Sequence, residues 1–209
     1  MVNIYLIRHG RQNTKLCNID VELSSEGCKQ AELLRDRFKN YEIDALYCSN
    51  MVRARQTAEI LNEALWLPVN IREGIKEISF GLLEGNTDEY NDAYFTDFMK
   101  EQRKLLEDIP YPGGENGADV CKRAMPVIHE ILQSGKQSIA VVTHGAVIRV
   151  ILAELFGKNQ AMKYQFAVSL ENTSITQLVY EPEIQRFYLQ RFNDCAHLEG
   201  YPKLHRKSL

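Results

Sequence analysis

Two short apolar runs, each ending in histidine and glycine, constrain this chain more than any other feature. Leu6-Ile7 leads into Arg8-His9-Gly10, and Ser138-Ile139-Ala140-Val141-Val142-Thr143 leads into His144-Gly145. Short β-branched apolar runs of this kind read as strands buried on both faces of a parallel sheet. Each would deliver its histidine at the C-terminal end of a strand, the edge at which open α/β sheets bind ligands. The glycine that follows has no side chain to block one.

The rest of the pattern fits the same architecture. Residues 2–7, 44–49, 68–72 and 138–143 are expected as strands, followed by two more over 173–180 and 185–192. Ser24-Ser25-Glu26-Gly27 reads as a helix start, with Ala31, Leu34 and Phe38 at helical spacing behind it. Ala54, Ala58, Leu61 and Leu65 give the buried stripe of a helix over 52–65. Asn116 can cap a helix whose face is Val120, Ala124, Val127, Ile128 and Ile131, with a kink expected at Pro126. A further helix is expected over 146–156. Alternating strands and helices predict an α/β fold, a three-layer α/β/α sandwich around a mainly parallel sheet. Residues 86–112 break the pattern, being acidic, aromatic and helical, and read as a small cap inserted into one domain spanning 1–209.

Composition excludes several partners. The balance of 25 Lys and Arg against 28 Asp and Glu, a net charge of −3, argues against a nucleic-acid binder, so any positive charge serving an anion must be local. No apolar stretch approaches a membrane span, and Met1 runs directly into a strand without a charged leader, so no membrane partner and a cytoplasmic location are expected. The five cysteines, odd in number and without CxxC spacing, read as reduced thiols, Cys17 and Cys195 included. His129, His197 and His205 lack metal-ligand spacing and read as surface or packing residues.

The chemistry that suits the two strand ends is phosphoryl transfer through histidine. Phosphate monoesters hydrolyse extremely slowly in water, and a nucleophile splits their reaction into two easier displacements. His9 is the candidate nucleophile. Arg8 beside it would hold phosphate oxygens and disfavour protonation of the imidazole. Arg53, at a strand end and helix start, can point into the same crevice, whereas Arg55, two positions on, reads as a solvated or ion-paired arginine.

At these residues the chain resembles the histidine phosphatase superfamily, the phosphoglycerate-mutase-like group. The matching segments are Arg8-His9-Gly10, the Ser49…Arg53-Ala54-Arg55-Gln56-Thr57-Ala58 block, Glu77-Ile78-Ser79-Phe80-Gly81-Leu82-Leu83-Glu84-Gly85, Gly113-Gly114-Glu115 and Thr143-His144-Gly145, in the family's order. The resemblance implies that His9 is phosphorylated and that Arg8, Arg53 and His144 form a phosphate pocket, with the Gly145 amide adding a donor. It implies that Glu77 protonates the leaving group and later serves as base for water, and that neither cofactor nor metal is needed. Glu84 reads as a structural carboxylate bonding a loop. The chain departs from the family at Gln12, where threonine or serine is common, and at Lys15, where a phosphate-contacting asparagine is common. Lys15 can still bind phosphate as a point charge. Asn116 and Leu83 replace a frequent serine and tryptophan.

The expected partner is a small-molecule phosphate monoester. The modest insertion points to a phosphatase, with mutase-type transfer and a non-catalytic phospho-ligand binder as alternatives. Oligomeric state is left open. Tyr90, Tyr94 and Phe98, at i, i+4 and i+8 with Phe95 and Met99 beside them, either pack the cap onto the body or roof the pocket. A roof would suit an aromatic or nucleoside-like leaving group such as α-ribazole 5′-phosphate, against which broad specificity stands as the other expectation.

Overall fold

In the computed structural model, which describes residues 1–206, six strands form a single sheet. They are β1 (Val2–Arg8), β2 (Ala45–Cys48), β3 (Val69–Ile71), β4 (Ser138–Thr143), β5 (Ile175–Glu181) and β6 (Arg186–Asp194), in the spatial order β3-β2-β4-β1-β5-β6. The pairings among β3, β2, β4 and β1 are parallel; β5 pairs with β1, and β6 with β5, in the antiparallel sense. The mainly parallel sheet is therefore observed, with an antiparallel hairpin at one edge. That hairpin turns through Pro182–Ile184 with no crossover helix, and a short connection can only join antiparallel neighbours.

Alternation along each central strand builds the three layers. Tyr5 and Ile7, Leu46 and Cys48, and Ala140 and Val142 face α1 (Ser25–Phe38) and α2 (Val52–Leu65) through Leu34, Phe38, Ala54, Ala58 and Leu61. Ile4 and Leu6, Ala45 and Tyr47, and Ile139 and Val141 face the other way. There they meet α5 (Gly117–Gln133), through the five face residues read from the sequence, and α6 (Gly145–Leu155). Helices on both faces explain why these strands are apolar at consecutive positions. Each fully buried leucine or phenylalanine contributes about 1.5–3 kcal/mol of transfer free energy.

The caps follow from local chemistry where the sequence supplies it. Ser24 caps α1 through Gly27, and Asn116 forms a capping box with Asp119 at α5. α5 continues through Pro126, whose ring lies on the exposed side. α2 has no cap of its own; Asp20 accepts from Val52 N–H at 2.8 Å instead. Between β3 and α5 the chain forms two short helices, α3 (Asp88–Tyr94) and α4 (Thr96–Arg103), rather than one. The aromatic stripe is broken accordingly. Tyr90 and Tyr94 stack on each other, 44% and 71% exposed, while Phe98 packs on Tyr111.

Across the hairpin edge, Arg37 of α1 donates two hydrogen bonds to Asp194 at the end of β6, at 3.0 and 2.5 Å. These bonds hold the Asp194 carboxyl at about 2, against an ordinary 3.8. A depressed acid stabilises the fold above its ordinary value and loses that contribution as pH falls through the depressed one. Asp194→Asn is expected to cost about 1–2 kcal/mol at pH 7, after discounting for solvent screening. Urea unfolding should show the gap between variant and wild type closing as pH falls from about 4 toward 2. A gap independent of pH would remove the ion pair as its cause.

Candidate active site

β1 and β4 lie side by side, yet the chain leaves them in opposite directions, β1 toward α1 on one face and β4 toward α6 on the other. This is a topological switch point, where a crevice opens at the strand ends. Arg8-His9 and His144 occupy its two lips. The His9 N–H donates to the Thr143 carbonyl at 3.0 Å, and the two imidazoles stand 5.0 Å apart between ring centres.

His9 is held in one protonation state by partners that leave no choice. Its Nδ1 lies 2.7 Å from the Gly10 carbonyl, which can only accept. Its Nε2 lies 3.1 Å from Nε of Arg53, which can only donate. The proton therefore resides on Nδ1 and the lone pair on Nε2. Burial, then the charges of Arg53 and Arg8, hold the imidazole pKa well below its ordinary 6.5. The product is a neutral ring, only 4% exposed, whose Nε2 lone pair accepts from Arg53.

Gly10 is required for packing rather than for ligand access. A Cβ there would stand 2.7 Å from the Gly27 carbonyl, because the loop after β1 crosses the first turn of α1. A Cβ on Gly145 would meet nothing closer than Arg8 Nε at 3.6 Å, so that glycine is tolerated rather than demanded. The Gly10 N–H donates to Thr57 Oγ1 at 3.0 Å, and Thr57 donates to the Arg53 carbonyl, tying the histidine loop to the helix that carries Arg53.

Arg53 is 2% exposed, its fork spread between His9, the Ile19 carbonyl at 3.1 Å and Asn18 Oδ1 at 2.8 Å. Arg8 donates through Nη1 to the Leu170 carbonyl, and its buried Nε has no partner among the described residues. His144 bonds through Nε2 to Ser49 Oγ at 2.8 Å, and its Nδ1 is likewise buried and unpartnered. Burial, with Arg53, also holds His144 well below its ordinary value and therefore neutral.

Glu77 enters from the loop before Phe80, one carboxylate oxygen accepting from Ile78 N–H at 3.0 Å and the other 3.5 Å from the Ala146 N–H. Arg123 braces this loop, donating to the Gly74, Lys76 and Glu77 carbonyls and pairing with Glu115. Glu115 in turn accepts from Ser79 N–H at 2.9 Å. Gly81, at φ +55, lets the loop turn against the Pro112 carbonyl, which a Cβ would approach to 2.2 Å. Glu84 accepts from Asn18, Ser79 and Phe80, the loop-bonding carboxylate read from the sequence.

Arg8, His9, Arg53, Glu77 and Lys15 all line one cavity of about 1010 Å³. His144 and Gly145 are buried and are not part of that lining, and Lys15 is exposed. Arg55 is a surface arginine 4.0 Å from Glu59. Burial, with Glu84 and Asp88, raises the Cys17 thiol to about 11, far from a reactive thiolate. Half-buried His197 bonds Thr173 at 3.0 Å, as a packing residue should. Half-buried His205 lies on the cavity wall, a place that its spacing did not indicate. Of the two readings of the cap stripe, the roof is not observed, since Tyr90, Tyr94 and Phe98 do not line the cavity, whereas Thr87, Asp88 and Glu89 do; Phe95, Phe98 and Met99 pack against the core instead.

Sequence reasoning missed Asn18, whose Oδ1 bonds Arg53, and Asn172, whose Nδ2 donates to the His9 carbonyl at 2.9 Å. Asn18 carries a local signal in retrospect: it adopts φ 48, a conformation that asparagine tolerates better than most residues. Asn172 carries none.

The sequence profile of the histidine phosphatase superfamily (branch 1) matches residues 4–194. The chain is 27% identical to the uncharacterized phosphatase PhoE of Bacillus subtilis, over 97% of this chain and 100% of that one. It is 27% identical to phosphoserine phosphatase 1 of Hydrogenobacter thermophilus, over 99% of each. Among solved structures, a phosphoserine phosphatase of Entamoeba histolytica in complex with 3-phosphoglyceric acid superposes with a TM-score of 0.79 at 28% identity, covering 95% of this chain and 100% of that one. A mycobacterial glucosyl-3-phosphoglycerate phosphatase with inorganic phosphate, at 24% identity, shares the fold with a TM-score of 0.84 over 94% and 99% of the two chains.

Proposed function

Because the chain belongs to the histidine phosphatase superfamily (branch 1), we propose that it is a metal-independent phosphomonoester hydrolase working through a phosphohistidine on His9. The observation that carries this reading is the fixed tautomer of His9, with its lone pair on Nε2 between the side chains that supply positive charge. In the first step Nε2 attacks phosphorus and the ester P–O bond breaks. The departing oxygen takes its proton from the Glu77 carboxyl. In the second step water attacks the phosphohistidine, Glu77 takes the water's proton, the P–N bond breaks and phosphate leaves.

Arg8 and Arg53 neutralise the equatorial oxygens as charge moves across the phosphoryl group. The unpartnered Arg8 Nε and His144 Nδ1 support the same reading, since buried polar atoms without partners are rare and both can serve an oxyanion. The Gly145 amide, opening α6 beside Arg8, is assigned as a further donor, and Lys15 as an exposed point charge. We read residues 1–209 as one catalytic domain, with 86–112 as its cap.

Hydrolysis is preferred over mutase-type transfer because phosphatases are matched along their whole length. The substrate is read as a small cytoplasmic phosphomonoester. With the cap aromatics outside the cavity, little supports α-ribazole 5′-phosphate over broad specificity, and it enters as one member of a panel. The panel also holds p-nitrophenyl phosphate, phosphoserine and 3-phosphoglycerate with its bisphosphate primer, assayed with chelator present. The expected result is phosphate release. Isomerised phosphoglycerate with little free phosphate would make the protein a mutase, and no turnover with equal affinity for vanadate and phosphate would make it a binder. Since His9 stays neutral below 6.5, kcat/KM should hold as pH falls from about 7.5 through that value. A decline centred at 6.5 or above would count against the assigned nucleophile.

A further inference from the structure

The cavity carries a second set of positive charges that the mechanism above does not use. The chain passes through a short turn at Pro202–Leu204, and Lys203, His205 and Arg206 then line the cavity. This segment is fastened at several points. Leu204 is buried, and its carbonyl accepts from Arg11 Nη2 and from Gln30 Nε2, each at 2.8 Å. The Arg206 N–H donates to Glu171 Oε2 at 2.9 Å.

Glu171 sits between two residues that touch the reacting site. The Leu170 carbonyl accepts from Arg8, and Asn172 donates to the carbonyl of His9. One short loop therefore sets the position of the tail relative to both the phosphate arginine and the nucleophile. Among the described residues, neither Lys203 nor Arg206 forms an ion pair, although Glu26, Asp88 and Glu89 line the same cavity. Burial first, and then the charge of Arg206, lowers Arg8 to about 9, and Arg206 adds the smallest share to the lowering of His9. Lys203 and Arg206 are exposed, unpaired cations held by a fastened segment on the wall of a cavity already provided with two arginines, which leaves them open to an anion other than the reacting phosphoryl group.

We propose that Lys203 and Arg206 bind a second anionic group on the substrate, a carboxylate or a further phosphate, so that the enzyme selects phosphomonoesters bearing another negative charge. The proposal rests on the phosphatase reading and narrows it to a substrate class. The test compares wild type with the double variant Lys203→Ala/Arg206→Ala on phosphoserine, fructose 1,6-bisphosphate and p-nitrophenyl phosphate. The ratio of kcat/KM for an ester with a second anion to that for p-nitrophenyl phosphate should fall about tenfold or more, the size of one charge-assisted contact. A larger fall for phosphoserine identifies a carboxylate site, and a larger fall for the bisphosphate a phosphate site. An unchanged ratio, or equal loss on all three esters, overturns the proposal. If wild type hydrolyses none of them, the phosphatase reading fails, and calorimetry decides the second site alone. Preference for 3-phosphoglycerate over inorganic phosphate that the double variant loses supports it; equal affinities overturn it.

Discussion

Replacing His9 with alanine is expected to lower phosphate release by roughly 10⁴-fold or more, the scale seen when a covalent nucleophile is removed. The effect should fall on the chemical step and not on the fold. His9 is packed at a strand end whose backbone bonds, from its N–H to Thr143 and to its carbonyl from Asn172, do not involve the imidazole. The variant leaves Arg53 Nε without its partner but keeps that guanidinium bonded to Ile19 and Asn18. It should therefore unfold cooperatively near wild type while binding phosphate through the same arginines. Substantial residual turnover would remove His9 as nucleophile; loss of cooperative unfolding would assign the residue to structure.

Glu77→Gln removes the acid proton together with the carboxylate charge, and comparing leaving groups separates the two. Glutamine is nearly isosteric, keeps one oxygen for the closer Ile78 N–H while giving up the 3.5 Å contact to the Ala146 N–H, and cannot give up a proton at neutral pH. Alkyl phosphates, whose leaving oxygen needs protonation, should slow by about 10²–10⁴-fold. p-Nitrophenyl phosphate, whose leaving group departs as the phenolate, should slow far less. The comparison is read as the single-turnover rate of leaving-group release for the two esters, the step that precedes the attack of water and product release and is not masked by either. A uniform loss on both would mean that Glu77 acts on positioning or charge, and a different donor would be needed.

The strand ends and the helices were legible because their signals are local. Periodicity places α2 at Val52–Leu65, and the Asn116 capping box marks the start of α5. Direction is not a local property. β5 and β6 read as strands, but nothing in their composition says that β5 runs antiparallel to β1; the short Pro182–Ile184 connection decides only that β6 runs against β5, which returns it to the direction of β1. The cap aromatics mislead for a related reason. Spacing of i, i+4 and i+8 presumes one continuous helix, and the chain breaks at Phe95, between α3 and α4, turning Phe98 away from Tyr90 and Tyr94.

The candidate site divides along the same line. Arg8, His9, Arg53 and Glu77 each sit where a motif meets the end of an element, and they meet in one cavity. Asn172, which supports His9, lies 163 residues away in sequence, and the basic tail is held at the cavity by Arg11, Gln30 and Glu171. Such contacts are products of the folded topology and leave no spacing to read. The two glycines also meant different things: Gly10 answers to the α1 backbone, and only the structure reveals that neighbour.

The central claim is that phosphate passes through His9, and trapping that intermediate tests it most directly. Wild type mixed with excess substrate and quenched without acid should yield one phosphorylated peptide containing His9, forming no more slowly than phosphate is released and absent from His9→Ala. Phosphate release with no phosphohistidine, at enzyme concentrations where a single turnover is visible, would contradict the account and point to direct attack by water.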